Sequence, residues 1–150
     1  MAKSSGKIWK KYHLHDSCEE SIKANDDNIR EIVEKEISRF GKTANLNHID
    51  VSGVTDMSGL FCNLDFNGDI YQWKVFNVID MSGMFEYSTF DGDISFWDVC
   101  NVEDMTDMFK HSKFGGDISH WDVRKVKKHD CCFDGSLLEK QPLKQPKFNP

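Results

Sequence analysis

The sequence predicts an α/β solenoid of four 24-residue units behind an N-terminal capping helix, and three observations carry that prediction. Val54, Val78, Val102 and Val126 stand 24 positions apart, and Phe61, Phe85, Phe109 and Phe133 keep the same step. The inner copies read Gly68-Asp69-Ile70, Gly92-Asp93-Ile94 and Gly116-Asp117-Ile118, each followed by a tryptophan, Trp73, Trp97 or Trp121. Ahead of them lies a single amphipathic stripe. A fixed period of roughly 20 to 50 residues marks supersecondary units that fold by burying their apolar faces against one another, and such chains present surfaces more often than pockets.

Residues 1–24 carry no readable period. Ile29, Ile32, Val33, Ile37 and Phe40 then follow the helical repeat, so a helix over about Asp27–Phe40 presents one apolar stripe. Asp26 and Asp27 stand where a helix N-terminus favours carboxylates, and Gly41 is a stop signal. This helix is expected to cover the open end of the stack, which begins near Ala44 because Leu46, Ile49 and Val51 already keep the register.

Within a unit, Trp73 and Val75 stand two apart, as in a short strand, and Val78, Met81 and Phe85 then adopt helical spacing with Asp80 near the start. Phe90-Asp91-Gly92 serves as the return loop. The fourth unit decays: His129 and Cys132 replace the methionines of the earlier copies, and Lys140, Pro142, Pro146 and Pro150 read as a basic tail, mobile or merely draped over the end. The expected divisions are therefore 1–43, 44–138 and 139–150.

Charge is segregated. Residues 50–123 hold fourteen acidic against three basic side chains, whereas residues 124–150 hold seven basic against three acidic. The central block is thus the wrong sign for a phosphate-backbone footprint and suits a protein partner with a basic surface, so direct nucleic-acid binding is not expected. No apolar run reaches the roughly 18 residues of a membrane span, and the lysine-containing start lacks the apolar core of a signal peptide. As written, the chain is expected in the cytoplasm. Five cysteines without a Cys-x-x-Cys pair point to reduced thiols rather than a disulfide framework.

The phrases Asp93-Ile94-Ser95-Phe96-Trp97-Asp98-Val99 and Asn101-Val102-Glu103-Asp104-Met105-Thr106-Asp107-Met108-Phe109 resemble the repeats of the DUF285 family, often called BspA-like leucine-rich-repeat surface proteins. The resemblance covers about residues 44–138. It implies a leucine-rich-repeat-like array, action through protein contacts, a cell-surface or secreted location, and no assigned catalytic residue.

The chemistry-bearing residues point the same way. Asp69, Asp93 and Asp117 recur at turns, where capping backbone N–H groups explains them better than calcium, which needs about six to eight oxygens per ion. Asp56, Asp80 and Asp104 read as helix N-terminal carboxylates. His13, His15 and Cys18, and separately His111, His129, Cys131 and Cys132, contain ligand types but lack the paired spacing of a zinc site, so no metal or other cofactor is expected. Ser82, Ser95 and Ser119 occupy repeated positions, where a nucleophile has no reason to recur. The basic residues at the end read as solvated, and Trp9 and Tyr12 as anchors onto the helix.

The expected function is a non-catalytic protein–protein interaction module, with Glu86, Asp98, Glu103 and Asp107 as partner-binding residues because they lie outside the recurring core positions. The alternative is a bacterial or phage-encoded inhibitor whose acidic face imitates nucleic acid and blocks the basic cleft of a nuclease.

Overall fold

The computed structural model describes residues 21–150 of the chain. In chain order it holds strand β1 (Ile22–Lys23), helix α1 (Ile29–Phe40), strand β2 (Ile49–Asp50) and two short 3-10 helices, Leu137–Lys140 and Pro142–Lys144. β1 and β2 form a two-stranded parallel sheet with Ile22 opposite Ile49. The expected α/β solenoid of four strand-plus-helix units is not formed. Beyond the two strands, parallel pairing is reduced to isolated bridges at Asn45–Asp69, Asp56–Asp80, Asp80–Asp104 and Asp104–Lys128, and most of the described chain is turn or irregular.

The reason lies in where the backbone N–H groups go. From Met57 to Leu64 they alternate: Met57, Gly59, Phe61 and Asn63 donate across to the carbonyls of Asp80, Ser82, Met84 and Glu86 at 2.8–2.9 Å, while Leu60, Cys62 and Leu64 close three-residue turns onto Met57, Gly59 and Phe61. The same alternation runs from Met81 to Ser88. A helix needs every N–H for the carbonyl four residues back, so these segments cannot be helical. Linked turns require a left-handed residue at every fourth position, supplied by Gly59 (φ 59°) and Asn63 (φ 57°), then Gly83 (φ 59°) and Tyr87 (φ 53°), then Asp107 (φ 55°) and His111 (φ 53°). Glycine adopts this conformation without a Cβ clash, whereas other L-residues are strained by ~1 to 2 kcal/mol. The expected strand pieces fail for a simpler reason: Trp73-Lys74-Val75 is too short, closed on one side by the Trp73 N–H to Ile70 turn and on the other by Val78 N–H to Val75.

The 24-residue step nonetheless decides which side chains touch. Phe61, Phe85, Phe109 and Phe133 stack at centroid separations of 5.4, 5.5 and 6.1 Å, and Trp73, Trp97 and Trp121 at 6.5 and 6.4 Å. A third column, Phe66, Phe90 and Phe114, stacks at 6.2 and 6.3 Å. Phe90-Asp91-Gly92 is a loop as expected, and the Phe90 side chain within it is fully buried. Each indole N–H donates to a backbone carbonyl, Trp73 to Leu46, Trp97 to Ile70 and Trp121 to Ile94, so the ring is both packed and satisfied.

At the N-terminal side, α1 places Ile29 and Val33 in the same core, with Ile32, Ile37 and Phe40 packed partly against it. The expected capping carboxylates are used differently. The N-cap is Asn28, without a side-chain cap bond, and Gly41 closes the other end. Asp26 instead accepts hydrogen bonds from the Thr55 and Asp56 amides and the Thr55 hydroxyl at 2.7–3.0 Å. The equivalent amides of Ile79 and Asp80 are held by the Thr55 carbonyl, and those of Glu103 and Asp104 by the Ile79 carbonyl, so the Asp26 carboxylate stands in for a missing backbone acceptor. Arg30 complements it by donating to the Ser58 and Gly59 carbonyls. Inside α1, Glu36 is buried and contacts His48 Nε2 at 2.9 Å.

Of the two expected states of the tail, mobile or draped over the end of the array, the structure shows the second. Leu138 and Pro146 are buried, the Phe148 ring stacks on His129 at 4.1 Å, the Lys144 carbonyl accepts from the Ile118 amide, and Asn149 donates to the Arg124 carbonyl. The fourth unit, where the register departs most from the earlier copies, is the one this segment packs against, through His129 and Phe148.

Candidate functional site

Two of the four expected partner-binding carboxylates meet. Glu86 and Asp107 line one shallow open groove of about 660 Å3, floored by Ser58, Gly59, Ser82 and Thr106. The linked turns build this groove, because their left-handed residues bring small side chains to the surface at Gly59 and Gly83 and leave longer ones at the rim. Glu86 carries no ion pair among the described residues, and its carboxylate lies 3.9 Å from the Cys62 sulfur. That carboxylate and the partial burial raise the Cys62 thiol above its ordinary pKa, burial being the larger cause. Asp107 is held at 2.9 Å by Lys110 in its own turn.

Asp98 and Glu103 lie elsewhere. Asp98 is exposed, has no ion pair among the described residues and accepts the Cys100 amide. Glu103 is engaged by Lys127 at 2.7 Å. That pair belongs to a wider pattern, since Lys128 reaches Asp104 at 3.3 Å and Lys128 also borders the groove of Glu86 and Asp107. The basic end folds back onto the acidic block one repeat step away, so charges segregated along the sequence are partly mixed in space. Lys127 and Lys128 remain exposed, as the sequence predicts, while reaching these carboxylates. The 24-residue separations of Glu103 from Lys127 and Asp104 from Lys128 were the available signal.

The recurring aspartates are committed to the backbone. Asp93 and Asp117 each accept the amide and hydroxyl of the serine two residues on, and Asp69 accepts the Tyr71 amide. The serine hydroxyl, with the amide second, holds the Asp93 and Asp117 carboxyls below the usual carboxylate range. Asp80 and Asp104 make the same turns with Ser82 and Thr106, so they are turn-formers and not helix N-terminal residues. Among the described residues no three His, Cys, Asp or Glu side chains converge to hold a metal ion. His111 packs on Tyr87 at 4.8 Å and His129 on Phe148, while Cys132 is buried and its thiol is pushed far up by desolvation. His13, His15, Cys18, Trp9 and Tyr12 lie outside the described residues. Among the described residues no helix is long and apolar enough to cross a membrane.

No curated protein and no solved structure matches the chain. The family model described as "Mycoplasma protein of unknown function, DUF285" matches residues 28–145, which takes in α1, the three stacked aromatic columns and both short 3-10 helices. The match extends beyond the stretch on which the sequence resemblance rested and carries no BspA-like label. The chain belongs to the DUF285 family.

Proposed function

We propose that this protein is a non-catalytic interaction module that binds a protein with a basic surface through its acidic groove. The observation that carries the reading is that Glu86 and Asp107 line one open groove together with the small residues Ser58, Gly59, Ser82 and Thr106, a shape that admits protruding side chains of a partner. Carboxylates at a rim steer association and select against acidic partners, while contributing modestly to affinity. Asp98, away from the groove, is exposed and free of an ion pair among the described residues, whereas Lys127 pairs with Glu103 and Lys110 with Asp107, so Glu86 is the groove carboxylate that has no ion pair among the described residues.

The test is affinity capture from host lysate with the wild-type protein and with the double reversal Glu86→Lys, Asp107→Lys. The expected outcome is a partner whose retention weakens several-fold from low to physiological salt, as exposed charges are screened beyond ~8 Å, and which the reversed protein fails to hold. Equal retention by both proteins at all salt concentrations would remove the groove from consideration.

A further inference from the structure

Among the described residues before the tail at 139, six large apolar side chains are exposed, Tyr71, Phe76, Ile79, Tyr87, Phe96 and Leu137, and Phe96 is the most open of them at 82%. The fold does not need it there. Its register equivalents are Gln72 and His120, and those of Tyr71 are Ser95 and Ser119, so polar residues satisfy both positions in neighbouring segments. An aromatic ring held in water at such a position marks a contact surface more readily than a packing requirement.

Tyr71 and Phe96 lie on the turns that run from each Gly-Asp-Ile to its tryptophan. These turns sit side by side, because Trp97 donates to the Ile70 carbonyl and Trp121 to the Ile94 carbonyl. The tail extends the row: the Lys144 carbonyl takes the Ile118 amide, which sets Leu143, 92% exposed, beside the third turn. Interleaved with these three apolar groups are the exposed carboxylates Asp69, Asp93 and Asp117. Each uses one oxygen for its own turn, and the second has no hydrogen-bond partner among the described residues.

We infer that this edge is a docking surface for a basic amphipathic segment of a partner protein, in which apolar side chains meet Tyr71, Phe96 and Leu143 while lysines or arginines meet Asp69, Asp93 and Asp117. Charge complementarity selects that occupant: Lys144, whose ammonium donates to the Gly115 carbonyl, lies near Asp117, but an acidic or neutral apolar segment would leave Asp69 and Asp93 facing desolvation without a counter-charge. The inference rests on the interaction-module reading and adds a second contact, on turns that do not line the groove.

The experiment titrates the protein with a short synthetic peptide of alternating leucine and lysine, followed by fluorescence anisotropy, with an alternating serine and lysine peptide as control. Wild type is expected to bind the leucine-lysine peptide ~10-fold more tightly than the control, and the Phe96→Gln, Tyr71→Ser protein to lose that ~10-fold advantage, the usual scale for aromatic anchors. Both replacements are residues that the register already tolerates, so an unchanged melting temperature accompanies the loss. Binding that survives them but disappears in the Glu86→Lys, Asp107→Lys protein overturns this edge and leaves the interaction module standing. Indifference to both pairs overturns both. A concentration-dependent dimer in sedimentation that Phe96→Gln dissociates also overturns the inference, since the occupant would then be a second copy of the chain.

Discussion

Replacing Trp97 by alanine tests the stacking directly. The indole lies between Trp73 and Trp121, within 5° and 6° of coplanar with each, leans on Phe85 at 6.3 Å and is 4% exposed. A buried aromatic side chain removes ~150 to 250 Å2 from water, which at ~25 cal/mol per Å2 corresponds to ~4 to 6 kcal/mol before the alanine methyl is discounted. Large-to-small aromatic replacements in cores cost ~3 to 5 kcal/mol, so the two routes agree near 4 kcal/mol. The Ile70 carbonyl also loses its donor, but backbone movement can admit water there, so little is added. With ~3 °C per kcal/mol for a chain of this size, the melting temperature should fall by ~10 to 15 °C in scanning calorimetry, cross-checked by urea unfolding. Trp97→Phe, which keeps a ring in the column and drops only the N–H and the second ring, should lose less than half as much. A loss below ~1 kcal/mol for the alanine variant would mean that neighbouring segments close over the gap, and that the column is not a stability element.

Two further outcomes follow from the backbone and the carboxylates. Gly83→Ala should destabilise by ~1 to 2 kcal/mol through its left-handed φ of 59° alone, because the new Cβ would meet nothing closer than the Glu86 Oε2 at 3.5 Å, while Asp107→Gly at the equivalent position should be neutral or stabilising; denaturant midpoints of the two proteins moving in the same downward direction would contradict the turn account. On acidification, Asp26, Asp93 and Asp117 have folded pKa values below their ordinary 3.8, and Asp122, held chiefly by Arg124, falls to about 2, so their contribution is fully present above the unfolded value and is lost as pH falls through the folded ones. Melting temperature should therefore be insensitive to these groups from neutrality to about pH 5 and decline between about pH 4 and 2, and Asp93→Asn, which preserves the turn acceptor, should make that decline shallower. An unchanged acid limb in the asparagine variant would show that the Asp93–Ser95 turn is not a linked group.

The period of 24 was legible because contacts between like residues recur only if the chain returns to the same place after the same number of residues, and Phe61, Phe85 and Phe109 do so. The helix was legible, to within two residues at its start, because Ile29 and Val33 need one apolar stripe. Periodicity alone could not tell a helical turn from a left-handed linked turn. Both place residues three and four apart on one face, and the choice is made by whether the N–H groups point along the chain or across it to a neighbouring segment.

The same limit governed the candidate site. The register singled out Glu86, Asp98, Glu103 and Asp107 because none stands at a recurring core position; in the structure Asp98 is exposed and the other three are half-buried. Sequence by itself determined the period, the aromatic inventory, the acidic excess and the family to which these motifs point. Only the tertiary structure decided that Glu86 and Asp107 share a groove, that Lys127 neutralises Glu103, and that Asp26 replaces a backbone carbonyl. These depend on side chains from distant segments meeting within a few ångströms, and a one-dimensional pattern specifies which residues are alike, not which of their neighbours turn outward together.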